Sequence, residues 1–160
     1  SNLLNCQYIK IGNNTKILPN ARLNCYDRFA KIKYSPKLII GDNVFIGYFF
    51  SALCADEMII ENDVTIASFV LITNENHGIN PEHELNYGNQ PLDTKPVKIC
   101  RGCWIGEKVS ILPGVTIGEK SIIATASVVT KDIPAYSIAS GIPARVIKQY
   151  NFETHQWEKI

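Results

Sequence analysis

The sequence predicts an all-β fold, a parallel β-helix in which short strands alternate with corners to form a triangular solenoid. The main observation is an unbroken spacing of six in the second half of the chain, which places isoleucine at 99, 105, 111, 117 and 123 and then Val129. Apolar positions recur every three to four residues on a helix face and every two on a strand face, so neither element explains this spacing. A short strand followed by a corner does, and three such units close one coil.

Two further features support stacked coils. Glycines at 106, 114 and 118 lie near the expected corners, where tight backbone geometry favours glycine. Backbones of successive coils would then pair about 4.8 Å apart. A small or β-branched residue also follows each isoleucine by four positions, at Cys103, Val109, Val115, Ser121 and Ser127.

The same spacing occurs earlier in the chain, interrupted by slips. Its inward positions are Ile11, Ile17, Leu23, Ile40, Ile46, Ile60, Ile66 and Ile72. The interval from Leu23 to Ile40 is one residue short of a full coil, so we expect a slip or small loop within residues 25–36. Two extra residues are expected near 54–57. The predicted coils cover about 9–72 and 97–133 of a single domain, 1–160.

The spacing of six fails in residues 73–98, a polar segment rich in Asn, Pro and Gly. This composition predicts a loop that leaves the solenoid. Long loops inside compact domains are uncommon and usually functional. This loop contains two of the three histidines, His77 and His83, and is therefore the candidate catalytic segment.

The regular coils are expected to end at Pro134, and residues 134–160 are predicted to form a C-terminal cap. Residues 136–140 and 144–149 are typical of short strands, and the tail of a small hairpin. Such a cap would cover the open end of the solenoid, which otherwise exposes apolar core and unpaired strands.

Composition excludes several classes of function. The net charge of +1 and the absence of a basic run argue against nucleic-acid binding. No uncharged apolar stretch is long enough to predict a membrane span, and the start of the chain lacks a signal-peptide pattern. Five cysteines, an odd number, favour reduced thiols and a cytoplasmic location. Cys100 and Cys103 have the spacing of a metal knuckle but lack a second pair, so no metal is expected.

Four segments of the sequence resemble the hexapeptide-repeat acyltransferases, and most closely their sugar O-acetyltransferase branch, which contains galactoside, maltose and polysaccharide acetyltransferases. The segments are WIG at 104–106, ILPGVTIG at 111–118, VVTKDIP at 128–134 and ASGIPARVI at 139–147. The resemblance covers about residues 38–149. It implies a left-handed coil. General connection rules favour the right hand, and the spacing itself does not fix the hand.

The resemblance implies acetyl transfer from acetyl-CoA to a hydroxyl, with His77 as general base. An imidazole with a pKa near ~6.5 suits removal of the hydroxyl proton during attack on a thioester. Glu75 or a main-chain carbonyl would orient it. The residues carried over as contacts to acetyl-CoA are Trp104, Thr125, Thr130, Lys131 and Arg145, and the candidate contacts to the acceptor are Asn74, Asn86 and Asp56. Thr125 stands where relatives often have alanine, and Glu107 where they often have serine. A carboxylate at 107 is unfavourable near a polyanionic cofactor.

The resemblance also implies a homotrimer with its active sites between subunits. Phe45, Tyr48, Phe49 and Phe69 fall at repeat positions that can face outward, and exposed aromatic side chains in a row usually mark an interface. His77 of one chain would then face the acetyl-CoA groove of its neighbour.

Three other functions remain open from the sequence. N-acetylation of an amino sugar would use the same base and acetyl-CoA. A zinc hydratase similar to the γ-class carbonic anhydrases would need three converging histidines, and the interval from His77 to His83 does not suit this. A structural or ice-binding solenoid would show a threonine-rich face and no disruptive loop. The sugar O-acetyltransferase, acting on a sugar or glycan precursor, agrees best with the residues.

Overall fold

A computed structural model describes residues 2–160 as a solenoid of five coils built from strands and turns. The strands of the first half are β1 Asn2–Leu4, β2 Ile9–Ile11, β3 Lys16–Ile17, β4 Arg22–Cys25, β5 Arg28–Phe29, β6 Ile32–Lys33, β7 Lys37–Ile40, β8 Phe45–Ile46, β9 Ser51–Cys54, β10 Glu57–Ile60, β11 Thr65–Ile66 and β12 Leu71–Thr73. The remaining strands are β13 Glu75–His77, β14 Leu92–Thr94, β15 Val97–Ile99, β16 Trp104–Ile105, β17 Ser110–Ile111, β18 Thr116–Ile117, β19 Ile122–Ile123, β20 Val128–Val129, β21 Ser137–Gly141, β22 Ala144–Asn151 and β23 Gln156–Lys159. Short 3-10 turns cover Cys6–Tyr8 and Tyr87–Asn89.

Each coil contributes one strand to each of three faces, and within each face the strands of successive coils pair in parallel. Face A contains β1, β4, β9, β12, β17 and β20; face B contains β2, β7, β10, β15 and β18; face C contains β3, β8, β11, β16 and β19, and continues into β21, β22 and β23. The chain visits the faces in the order B, C, A. Its corners are therefore the B–C corner, the C–A corner and the A–B corner, where one coil passes to the next.

The predicted inward positions are confirmed from Leu23 onward, but Ile11 is 49% exposed and Ile17 is only partly buried, because β2 and β3 are the edge strands of their faces and no coil covers them. The isoleucines at 99, 105, 111, 117 and 123, together with Val129, have no exposed surface. The small residues that follow them by four positions are buried as well. Two of these, Ser121 and Ser127, bind the segment that follows the fifth coil. Ser121 Oγ donates to Pro134 O (2.7 Å), and Gly141 N–H donates to Ser127 Oγ (3.1 Å).

The glycines near corners serve two different purposes. Gly114 has φ +84°, a left-handed conformation that favours glycine. Gly106 does not have a positive φ; a Cβ there would lie 2.7 Å from the backbone nitrogen of Thr125 in the next coil. The expectation of tight corner geometry thus holds at Gly114, whereas close approach of the next coil explains Gly106.

The predicted outward aromatic residues lie along the C–A corner and the adjoining part of face C. Phe49 and Phe69 are about half exposed, and their rings stack with centroids 4.9 Å apart and planes 7° from parallel. Both have positive φ (55° and 59°), which is uncommon for bulky residues. Phe45 and Tyr48 are also exposed. The four side chains leave an apolar patch on the surface of the single chain.

The C-terminal segment extends face C. Strand β21 pairs in parallel with β19, and β22 and β23 follow as antiparallel strands. The expected hairpin is therefore present, with β22 two residues longer than predicted. Tyr150 packs edge-on against Phe152 and Trp157 on this hairpin. No helix within residues 2–160 is long and apolar enough to cross a membrane.

Replacement of Gly106 by alanine tests the close approach of coils. Because the added Cβ would lie 2.7 Å from Thr125 N, we expect the free energy of unfolding to fall by about 1–3 kcal/mol. Gly88→Ala is the matched control, since its Cβ would meet nothing closer than 3.6 Å. Denaturant unfolding at fixed protein concentration gives both values, and equal stability of the two variants would contradict the packing described.

Candidate active site

The irregular segments of the chain all leave the solenoid at the A–B corner. Between β4 and β7 lies a hairpin, β5–β6; between β9 and β10 lie the two extra residues Ala55 and Asp56; between β12 and β15 lies the long loop, residues 74–96. The predicted loop of 73–98 is therefore shorter at both ends, because Thr73 remains in β12 and Val97 begins β15. Three successive coils thus place their insertions side by side.

The base of the long loop is fixed by Asn74, which has no exposed surface. Its Oδ1 accepts from Ala55 N–H (2.8 Å), and its Nδ2 donates to Cys54 Sγ (3.8 Å). Thr94 Oγ1 donates to Asp56 Oδ2 (3.2 Å) from the returning strand. Asn74 therefore offers no surface for direct contact with an acceptor, and its observed contacts are those of a residue that holds the loop. Asp56 is half-buried, and both of its carboxylate oxygens already accept hydrogen bonds, since Oδ1 accepts from Glu57 N–H (2.7 Å).

The candidate base lies on a two-stranded arm formed by β13 and β14. His77 pairs with Leu92, and Glu75 with Thr94. Since alternate residues of a strand share a face, these four side chains lie on one side of the arm. The His77 ring contacts the Phe29 ring of the β5–β6 hairpin, with centroids 5.1 Å apart and planes at 56°.

Two clefts adjoin the imidazole. The first has a volume of about 130 Å³ and is lined by Tyr26, Phe29, Glu75, His77 and Leu92. The second lies on the other side of the arm, with a volume of about 330 Å³, and is lined by Asn76, His77, Gly78, Ile79 and Asp93. His77 is exposed and is the residue common to both clefts. Its imidazole is therefore accessible to a reacting group.

Glu75 gives the first cleft its electrostatic character. Burial raises the pKa of Glu75 above its usual value, and the charge of the nearby His77 acts in the opposite direction. A half-buried carboxyl beside an imidazole can hold that ring and stabilise its protonated form. Glu75 was one of the two candidates for orienting His77, and the structure brings it into the same cleft.

The other candidate residues of the loop lie away from this cleft. His83 Nδ1 accepts from Leu85 N–H (3.0 Å), a local contact within the exposed loop tip. Asn86 is exposed and precedes the 3-10 turn Tyr87–Asn89. Gln90 is buried and closes the loop, because its side chain bonds to the backbone of Asn80 on both sides.

The candidate acetyl-CoA contacts are all exposed and divide between two corners. Trp104 on β16 is 55% exposed on face C, and Thr125 lies at the C–A corner of the fifth coil. Arg145, the second residue of β22, pairs with Ser140, which precedes Gly141, and Gly141 N–H donates to Ser127 Oγ at that same corner. Thr130 and Lys131 lie at the A–B corner of the fifth coil, two coils beyond the arm. A single chain therefore does not bring His77 together with Trp104, Thr125 and Arg145.

Sequence reasoning missed the hairpin wall of the site. Tyr26, Phe29 and Tyr34 belong to the segment predicted to contain a slip or small loop and not assigned to the site, yet the first two line the first cleft. Their signal was present as three aromatic residues inside an interruption of the repeat that runs over residues 26–36. These residues can be assigned to the site only once the interruption is known to lie at the same corner as the long loop.

Cys100 and Cys103, the pair with the spacing of a metal knuckle, are partly and fully buried, respectively. Across residues 2–160, no three His, Cys, Asp or Glu side chains are grouped so that they could hold a metal ion. Burial raises the pKa of Cys103 to about 12 and raises that of Cys100 as well, so neither thiol of the predicted knuckle spacing readily ionises. All five cysteines are free.

Comparison with known proteins defines the family. The family model described as bacterial transferase hexapeptide (six repeats) matches residues 96–131. The galactoside O-acetyltransferase of Escherichia coli K12 is 36% identical over 118 residues, which are 74% of this chain and 57% of that protein. The chain thus spans less than two thirds of the length of the curated relatives first matched.

Two solved structures resemble the whole fold. The maltose O-acetyltransferase of Clostridium difficile 630 has a TM-score of 0.71 and 31% identity, covering 89% of this chain and 71% of its own. A galactoside acetyltransferase in complex with coenzyme A has a TM-score of 0.75 and 29% identity, covering 93% of this chain and 69% of its own. The chain belongs to the hexapeptide-repeat acyltransferase family, and its solenoid is the left-handed parallel β-helix. The hand implied by the resemblance is thereby confirmed.

Glu75→Gln tests the electrostatics of the first cleft. A carboxyl with a raised pKa holds its proton more tightly in the folded protein than in the unfolded chain, so its contribution to stability is complete below about pH 4 and is lost as the pH rises through the folded pKa. We therefore expect wild type to lose stability relative to Glu75→Gln as the pH rises above about 4. Glu84→Gln, on the exposed loop tip, is the control. Parallel curves for wild type and Glu75→Gln would show that the carboxyl is not desolvated.

Proposed function

We propose that the protein is an acetyl-CoA-dependent O-acetyltransferase that transfers an acetyl group to a hydroxyl of a sugar or glycan precursor. The observation that carries this proposal is the exposed imidazole of His77, held on the arm between two clefts in a chain whose structural neighbour binds coenzyme A. The O-acetyltransferase names of the relatives support the choice of a sugar hydroxyl as acceptor.

His77 acts as the general base. The acceptor hydroxyl donates a hydrogen bond to the free imidazole nitrogen, and its oxygen attacks the thioester carbonyl carbon while the proton passes to His77. The carbon–sulfur bond then breaks, and the imidazolium returns the proton to the departing sulfur. The carboxylate of Glu75 stabilises the imidazolium between these two proton transfers. The acceptor oxygen thus gains the acetyl group and the coenzyme A sulfur gains the proton. The neutral imidazole of His77 is regenerated in each cycle.

Acetyl-CoA is proposed to bind along the exposed edge of the fourth and fifth coils. Arg145 can contact a phosphate through two N–H groups, whereas Lys131 supplies a point charge. Trp104 offers an exposed ring for the pantetheine arm. Thr125 and Thr130 lie on corners where backbone groups are accessible. Glu107, exposed one coil below Thr125, opposes the cofactor's negative charge and favours a path that avoids it.

The division of these residues between two corners supports a homotrimer. If the A–B corner of one chain packs against the C–A corner of the next, His77 faces the neighbour's Trp104 and Arg145. This contact joins two different surfaces of the chain, and such a head-to-tail contact between wedge-shaped prisms closes as a ring. The exposed Phe49–Phe69 stack lies on the C–A corner, where it would be covered. Five free thiols and the use of acetyl-CoA fit the cytoplasm as the place of reaction.

His77→Ala tests the base. With acetyl-CoA and a panel of acceptor sugars, release of free coenzyme A thiol should depend on the acceptor, and the variant should lower kcat by on the order of a hundredfold or more. His83→Ala is the matched control, since its ring bonds only within the loop tip in the structure described, and it should retain wild-type kcat. Full activity of His77→Ala would show that another group is the base.

Mixed assemblies test the shared site. One variant carries His77→Ala, and the other carries Trp104→Ala with Arg145→Ala. Each alone should be nearly inactive, but trimers formed from an equal mixture should recover about a quarter of wild-type activity, because one site in four would combine two intact halves. A mixture no more active than its components would place both halves of the site in one chain.

A further inference from the structure

The arm that carries His77 is too small to hold the imidazole by itself. It contains three residue pairs between β13 and β14, and a two-stranded ribbon of this size is at best marginally stable in water. The residues beyond it, 79–89, are exposed. A general base must nevertheless keep a fixed position relative to the reacting hydroxyl, since small displacements lower the rate strongly. Contacts from outside the arm are therefore needed at its tip.

The base of the arm and its tip are held by different parts of the chain. The Asn74–Ala55 and Thr94–Asp56 hydrogen bonds fix the base against the corner of the second coil. At the tip, Leu92 N–H donates to Tyr34 Oη (2.8 Å), across 58 residues of sequence. Leu92 is the residue directly opposite His77. The hydrogen bond thus acts on the same residue pair as the Phe29–His77 ring contact.

The hairpin that supplies Tyr34 and Phe29 is itself anchored to the first coil. Tyr34 N–H donates to Asp27 O (2.9 Å) and closes the hairpin at its base. The Asp27 carboxylate accepts from Asn5 Nδ2 (3.2 Å) and from Tyr8 Oη (3.1 Å). The base of the hairpin is therefore held by two side chains from the segment that leads into the first coil, and the hairpin can transmit the position of that coil to the arm.

We propose that Tyr34 and Phe29 are positioning residues for His77, so that the β5–β6 hairpin, an insertion in the first coil, sets the geometry of the base in the third. This inference rests on the proposed function of His77. Tyr34 fixes the backbone opposite His77, and the Phe29 ring restricts the orientation of the imidazole. Neither residue needs to touch the acceptor for this role.

Tyr34→Phe and Phe29→Leu test the positioning. Each removes one modest interaction, so kcat should fall by about threefold to tenfold while KM for acetyl-CoA and for the acceptor stays within about twofold. Phe29→Tyr keeps the ring and should keep kcat. Arg28→Ala is the control, because Arg28 precedes Phe29 on the same strand and points to the other side of the hairpin. Unchanged kcat in both test variants, or a rise in acceptor KM alone, would overturn the proposal.

A spectroscopic measurement separates this inference from the proposed function. The chain has three histidines, whose ring signals can be resolved by NMR and assigned by substitution. Tyr34→Phe and Phe29→Leu should each move the His77 signals and leave those of His83 and His155 in place, whereas Arg28→Ala should move none. If wild type acetylates no acceptor, the proposed function fails, and the ring signals still decide the inference. His77 signals unmoved in both variants would overturn it.

Discussion

The pairing of each coil with the next is the constraint on which the rest of the molecule depends. Ile66 pairs with Ile46 of the preceding coil and with Ile105 of the following one, so one inward side chain stacks on another along face C. This register survives the long loop between β12 and β15, because Ile60 still pairs with Ile99. An insertion is therefore tolerated only at a corner, where the chain can leave and return without shifting the inward side chains to the outside. The scaffold thus dictates where irregular structure can occur.

That constraint explains how the site is built. Insertions in successive coils at one corner must lie beside each other, and here they bring an aromatic hairpin against the arm with the imidazole. The hairpin adds a hydrogen-bond acceptor and a ring, the second coil adds Asp56, and the third adds His77 and Glu75. The other corners of the coils keep their regular structure, and the C–A corner presents exposed residues such as Thr125. The candidate base and the residues around it therefore lie in the interruptions, and the repeat determines where the interruptions lie.

The sequence predicts the coils well because their determinants are local. Each strand and corner repeats within six residues, and the inward isoleucines are apparent without knowledge of distant contacts. The loop and its histidine are visible as a failure of that spacing. The hairpin wall is not, because the Tyr34–Leu92 bond joins residues 58 apart and exists only when the coils stack in register. The same limit applies to Asn74, whose burial depends on Ala55 of the preceding coil. The hand of the solenoid likewise leaves no trace in the spacing, and only likeness to solved structures decides it.

The proposed mechanism requires the solenoid to deliver the imidazole of His77 to a thioester held by a neighbouring chain. A crystal structure of the assembled protein with coenzyme A tests it most directly, through the distance from the imidazole of His77 to the cofactor sulfur. We expect the sulfur to lie within hydrogen-bonding reach of the imidazole, directly or through one water, and the adenosine and phosphate groups to rest on the adjacent subunit. A sulfur remote from every His77 imidazole in the assembly would contradict it.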